Sequence, residues 1–136
     1  MNEVVAAAEL AGNIIGGDGG AFVIAEWRDE GGVTDPPRLI APLHMHHKDD
    51  EAWYVLKGAL RIRRGDEVVE AAAGSAVFVP RGTPHTYWNA IPGPTRYLLV
   101  MTPRIHALIR AIHAMTERTP EKMRDLFRQY DSELLV

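Results

Sequence analysis

The chain of 136 residues contains no cysteine. Disulfides and thiolate-bound metals are thereby excluded, so any metal has to be held by imidazole and oxygen ligands. The same absence leaves the redox compartment open. Long hydrophobic runs are missing too: nothing approaches the roughly 20 apolar residues of a membrane span. The N-terminal "MNEVVAAAELAGN" has neither the basic start nor the apolar stretch of a secretory signal, so a soluble, cytoplasmic protein with no membrane partner is expected. Charge of one sign is also scarce. Fifteen basic residues are scattered among eighteen acidic ones, for a net charge of -3, which gives no footprint for a nucleic-acid backbone. What is present is apolar material, 46% of the residues, enough for one core in a single domain.

From residue 21 to residue 101 the chain alternates short β-branched and aromatic runs with Gly, Pro and Asp: "AFVIAEW", "EAWYVLKG", "ALRIRR", "EVVEA", "SAVFVP", "HTYWNA" and "RYLLVM". Many short strands at close spacing predict an all-β sandwich or barrel. The stretch "RDEGGVTDPPRL" (28–39) stacks turn residues and reads as a loop. After Met101 the pattern changes. Thr102-Pro103 and Thr119-Pro120 each read as an N-cap followed by proline at the first helical position. Ile105, Leu108, Ile109 and Ile112, and then Met123, Leu126, Phe127 and Tyr130, recur at helical spacing. Two amphipathic helices, 103–117 and 120–131, are therefore expected as a brace or lid packed on the β domain. The chain divides into an N-terminal segment 1–20 (strand or tail), a β domain 21–101 and a helical extension 102–136.

The densest chemistry lies in "PLHMHHKDDEAW" (42–53), where three histidines and three consecutive acidic residues fall within eight positions. On a strand, residues two apart share a face, so His44 and His46 can converge while Met45 turns away. Glu51 then opens the next strand, and "GSAVFVPRGTPHTYWN" (74–89) places His85 at the head of another. An N/O set of this kind suits Fe, Ni, Mn, Co, Cu or Zn. Taken one at a time, each histidine reads as readily as a surface or core residue, and Asp49, Asp50 and Glu51 as a solvated turn. By alternation His47 points away from His44 and His46 and reads as a surface group or as one behind the ligands, not as a ligand.

Two long spaced patterns carry a resemblance that bears on these readings. His44 to Gly58 fits H-x-H-x4-E-x6-G, and Gly74 to Asn89 fits G-x5-P-x-G-x2-H-x3-N. In both, and in their order, the chain resembles the cupin superfamily, in particular its small single-domain members of the quercetin-dioxygenase-like type. One position departs: the glycine that usually stands six residues before the first histidine is Arg38. The resemblance implies a jelly-roll barrel holding one divalent transition metal per chain through His44, His46, Glu51 and His85. Four protein ligands on a six-coordinate metal would leave two positions for water, dioxygen or substrate oxygens. Homodimerisation is also implied, with segment 1–20 a candidate contributor.

If Glu51 and His85 face inward, so do Trp53 and Val55 on one strand and Tyr87 and Asn89 on the other. After Gly58, Leu60 and Ile62 form the natural inward pair. Phe78 is a further wall candidate beside Ala76. Trp53, Tyr87 and Phe78 read equally as core and as substrate wall, although the Tyr87 hydroxyl, which a core must satisfy, favours the pocket. No arginine is forced inward, while Arg38, Arg81 and Arg96 are placed to sit at the mouth. A phosphorylated substrate would need such cations, because an unpaired dianion in a dry barrel is very costly. The expected activity is a metal-dependent dioxygenase acting on a small phenolic or enolic substrate, with Glu51 as a proton acceptor if its pKa is raised. The same site is open to isomerase, decarboxylase or lyase chemistry without oxygen, or to ligand binding without turnover.

Overall fold

The computed structural model describes residues 14–17, 19–32 and 34–136. Two five-stranded antiparallel sheets face each other as a jelly roll. One carries, in spatial order, β1 (Ile14–Gly16), β2 (Val23–Asp29), β9 (Thr95–Met101), β4 (Glu51–Lys57) and β7 (Ala76–Val79). The other carries β10 (Ser132–Leu134), β3 (Ala41–His46), β8 (His85–Asn89), β5 (Ala59–Arg64) and β6 (Glu67–Ala72). Helices α1 (Pro103–Ala114) and α2 (Pro120–Gln129) lie between β9 and β10 in the chain.

Period-two alternation builds the core. On β9, Thr95, Tyr97, Leu99 and Met101 are buried while Arg96, Leu98 and Val100 are half-buried. Glu51, Trp53 and Val55 on β4, Leu60 and Ile62 on β5, and His85, Tyr87 and Asn89 on β8 complete the inner faces. The main cluster joins Val23, Trp53, Val55, Leu60, Ile62, Tyr97 and Leu99 with Ile105 from α1. Gly58 makes the tight corner between β4 and β5 at φ 87°, and an added Cβ would lie 2.3 Å from Thr95 Oγ1. Thr95 Oγ1 there accepts from Ala59 N, so the close approach is built into the sheet junction.

Both helices begin at the expected caps, Thr102 accepting from Ile105 N and Thr119 from Lys122 N. They end earlier than their periodicity predicts, at Ala114 and Gln129. The larger departure follows α2. Residues 132–134, read as the end of a helical extension, form β10 and pair with β3 in the register Ser132↔His46, Glu133↔Met45 and Leu134↔His44. The extension thus returns to the barrel and covers an edge that β3 would otherwise expose. The expectation of a dimer contact in segment 1–20 falls mostly on residues 1–13, outside the described residues; 14–16 form the edge strand β1.

Candidate metal centre

His44, His46, Glu51 and His85 meet inside the barrel, one ligand atom from each within 4.8 Å of the others. Strand pairing brings them there. His44 sits opposite His85 in the β3–β8 ladder, and β4 supplies Glu51 from the facing sheet. Gly82, at φ 78°, donates from its backbone N to His46 O at 2.7 Å, so the turn before His85 is tied to the strand of the other two histidines. All four side chains are buried.

The hydrogen bonds fix which ring nitrogen faces the centre. His44 Nδ1 lies 2.6 Å from Pro42 O, and His85 Nδ1 lies 2.9 Å from Thr83 O. A carbonyl only accepts, so both Nδ1 atoms carry the proton. His46 Nδ1 lies 2.7 Å from Ser132 Oγ, whose own proton is directed to Tyr130 O at 3.1 Å. His46 Nδ1 is therefore a donor as well. All three rings, when neutral, present an Nε2 lone pair inward, the arrangement metal-binding imidazoles share.

Lone pairs and a carboxylate cannot face one another unaided. Glu51 Oε1 lies 3.0 Å from His85 Nε2 and 3.4 Å from His46 Nε2. The second of these is a close approach and not a hydrogen bond, since His46 Nε2 is buried with no hydrogen-bond partner. Burial lowers the His44 pKa to about 3, assisted by the nearby His85 and His46 rings, so His44 is neutral. Burial pushes the Glu51 carboxyl up, but the His46 and His85 rings close against it outweigh burial and hold the pKa at about 2. A positive charge has to lie between these groups, either protons or a metal ion that displaces them. Three imidazoles with Nε2 turned inward, one of those nitrogens without a hydrogen-bond partner, and one ionised carboxylate fit a divalent transition metal.

The surroundings lower the Glu51 pKa, whereas the proton-acceptor role expected of it calls for a raised one. Corrections concern the lining. The centre opens on a cavity of about 400 Å³, walled by Trp27, Trp53, Tyr87, Tyr97 and Leu99 and roofed by both helices. Trp53 and Tyr87 are thus wall residues. Leu60 and Ile62 face inward but lie in the core away from the cavity. Phe78 is 51% exposed, because Val77 and Val79 take the inward positions of β7. Asn89 is buried four residues along β8 from His85, where it ties loops through Gly93 O, Asp29 and Ile91 N.

Charged residues also differ from their expected places. Asp49 does not solvate the turn: it is 6% exposed, with Arg104 of α1 at 3.5 Å. Asp50 pairs with Arg81, Arg38 with Asp29 and Arg96 with Glu26, and none of these arginines lines the cavity. Arg28 and Arg118 line it instead, with Arg28 paired to Glu30. His47 is exposed as expected.

Sequence reading missed Ser132. The helices pack on the β domain as a brace or lid should, and their apolar stripes supply Ile105, Leu108, Ile109, Ile112, Met123 and Phe127 to the cavity. Phe127 packs edge-on against His44 at 5.6 Å, bringing α2 onto the candidate metal centre.

Residues 32–101, just over half of the chain, match the cupin domain family. The protein belongs to the cupin family. Among its relatives, the xanthan biosynthesis protein XanB of Xanthomonas campestris pv. campestris (strain B100) is 33% identical over 57 residues. That alignment takes in 42% of this cupin and 12% of XanB, so the chain spans only a small part of that relative. The crystal structure of TT1209 from Thermus thermophilus superposes with a TM-score of 0.53 at 28% identity, covering 61% of this chain and 73% of that one. A sugar phosphate isomerase of the cupin superfamily, SPO2919 from Silicibacter pomeroyi, superposes at 0.52 with 25% identity, covering 61% of this chain and 51% of that one. Among the described residues, no helix of this cupin is long and apolar enough to cross a membrane.

Proposed function

We propose that this cupin is a mononuclear metal enzyme of the quercetin-dioxygenase-like type, acting on a small phenolic or enolic substrate. The observation behind this reading is the buried cluster of three histidines and a carboxylate, of which His44, His46 and Glu51 line a cavity walled mainly by aromatic and aliphatic side chains. When bound, a divalent transition metal would supply Lewis acidity and a common attachment point for oxygen-bearing reactants. His44, His46, Glu51 and His85 would hold it.

The rest of the chemistry belongs to the protein. Trp27, Trp53, Leu99 and Ile105 form flat, apolar surfaces that orient an aromatic or enolic body and favour its burial. The roof formed by α1 and α2 shields the site from water. Glu51 stays ionised, and its charge offsets that of the ion. Oxygen-uptake assays on metal-loaded protein with catechol-like and enolic substrates test the proposal. Uptake matching substrate loss, and absent from a His46→Ala/His85→Ala variant, is the expected result.

A second reading, Lewis-acid isomerase, decarboxylase or lyase chemistry without oxygen, draws support from the likeness to SPO2919 and from the guanidinium of Arg118 at the cavity. Turnover under strict anaerobiosis would replace the first reading with this one. Binding without turnover in either atmosphere would leave a ligand-binding cupin.

A further inference from the structure

The cavity wall next to the four metal-site residues has a polar feature that they do not use. Tyr87 Oη and Tyr97 Oη lie 2.9 Å apart, both on buried side chains lining the cavity. Two hydroxyls in one hydrogen bond use a single proton, and the other O–H proton has no acceptor among the described residues. Trp53, also lining the cavity and 1% exposed, leaves its Nε1–H buried without a partner. Its ring packs on Tyr87 at a centroid distance of 5.3 Å. The indole N–H lies near enough to the Tyr87 hydroxyl to favour its ionised form, yet makes no hydrogen bond of normal geometry.

Unsatisfied donors in an apolar wall are costly, each on the order of 1–3 kcal/mol, and are rare unless something else meets them. Here two donor protons are left over, faced only by the spare lone pairs of the two phenol oxygens themselves. We propose that Trp53 Nε1–H and the Tyr87–Tyr97 hydroxyl pair form a subsite for a neutral oxygen acceptor, a carbonyl oxygen, on the substrate. This rests on the proposed function and narrows its substrate to an apolar molecule carrying a carbonyl besides the oxygens that face the metal centre. A carboxylate is disfavoured. The hydroxyls and the indole N–H are neutral donors on buried side chains, which leave a carboxylate's charge uncompensated there. Tyr97 is pushed up to about 12, mainly by burial, and stays protonated.

Acetophenone and ethylbenzene, nearly equal in shape and differing in the carbonyl, test the subsite by calorimetric titration of zinc-loaded full-length protein. A cavity without donors favours ethylbenzene, because the carbonyl loses its water. The subsite predicts that the wild-type protein binds acetophenone at least as tightly. Trp53→Phe, and separately Tyr87→Phe/Tyr97→Phe, should each weaken acetophenone relative to ethylbenzene by about fivefold to tenfold. The ratio of acetophenone to ethylbenzene affinity is the readout, so a general loss of apolar contact does not mimic loss of the subsite. Circular dichroism reports the fold, and either variant suffices should the other not fold.

An acetophenone preference that survives in the variants overturns the subsite, as does failure of the wild-type protein to take up acetophenone. Repeating the titration with His46→Ala/His85→Ala separates the two proposals. Selectivity kept there, with no turnover by the metal-loaded wild type, would sink the enzyme reading and leave the subsite standing. Turnover by the wild type with no carbonyl selectivity would do the reverse.

Discussion

His46 Nδ1 donates to Ser132 Oγ across 2.7 Å, joining a candidate metal ligand to a residue 86 positions later in the chain. The last strand therefore sets the tautomer and orientation of a ring at the centre of the barrel. Ser132→Ala would leave the His46 Nδ1–H buried without an acceptor and free the ring to turn. Metal affinity is expected to fall about 10–100-fold, as for other partners of metal-bound histidines. Chelator competition measures it, with circular dichroism showing that the fold is kept. Unchanged affinity would assign Ser132 to strand pairing alone.

Glu51→Gln tests whether the carboxylate is a ligand. The substitution keeps size and removes the negative charge that balances a cation among three neutral rings. Affinity should drop by at least the ~10–100-fold seen when an outer partner is lost. Metal retained at wild-type affinity, with turnover abolished, would instead make Glu51 a proton-transfer group.

The metal-free protein should lose stability in acid. His44 titrates at about 3 in the folded chain against an ordinary 6.5, so the unfolded chain binds this proton first and stability declines as pH falls from 6.5 towards 3. Glu51 adds a second decline as pH falls from its ordinary 4.5 towards 2. Thermal melts from pH 7.5 to 4 should show a falling Tm, and His44→Gln should flatten the portion between pH 6.5 and 4.5. A Tm that rises on acidification would contradict these assignments.

Phe127 holds the roof. It is 2% exposed and rests on His44, so Phe127→Ala should cost about 3–5 kcal/mol in urea unfolding. A loss under 1 kcal/mol would mean that α2 is only loosely docked on the barrel.

The four clustered residues were legible because their spacing along the chain is long and specific, and strand parity placed Trp53 and Tyr87 on the same inner faces. Parity alone did not say which inward residues meet a cavity. Leu60 and Ile62 face inward yet are core, and Asn89, on the same face as His85, serves loops. On β7 the run Ala76, Val77, Phe78, Val79 is apolar throughout, so alternation had no polar residue to anchor it, and the large side chain lies outside. Asp49 sits in an acidic run that resembles a solvated turn, and only the fold brings Arg104 to it. β10 has three residues, too few to show a period, and is held by backbone pairing with β3.

The central claim is that His44, His46, Glu51 and His85 hold a metal ion. Elemental analysis of protein purified without chelators or a histidine tag, beside His46→Ala/His85→Ala, tests it most directly. About one Fe, Ni, Mn, Co, Cu or Zn per chain in the wild type, and none in the variant, is the predicted result. A wild-type protein that takes up no metal, even after reconstitution with each ion in turn, would contradict it.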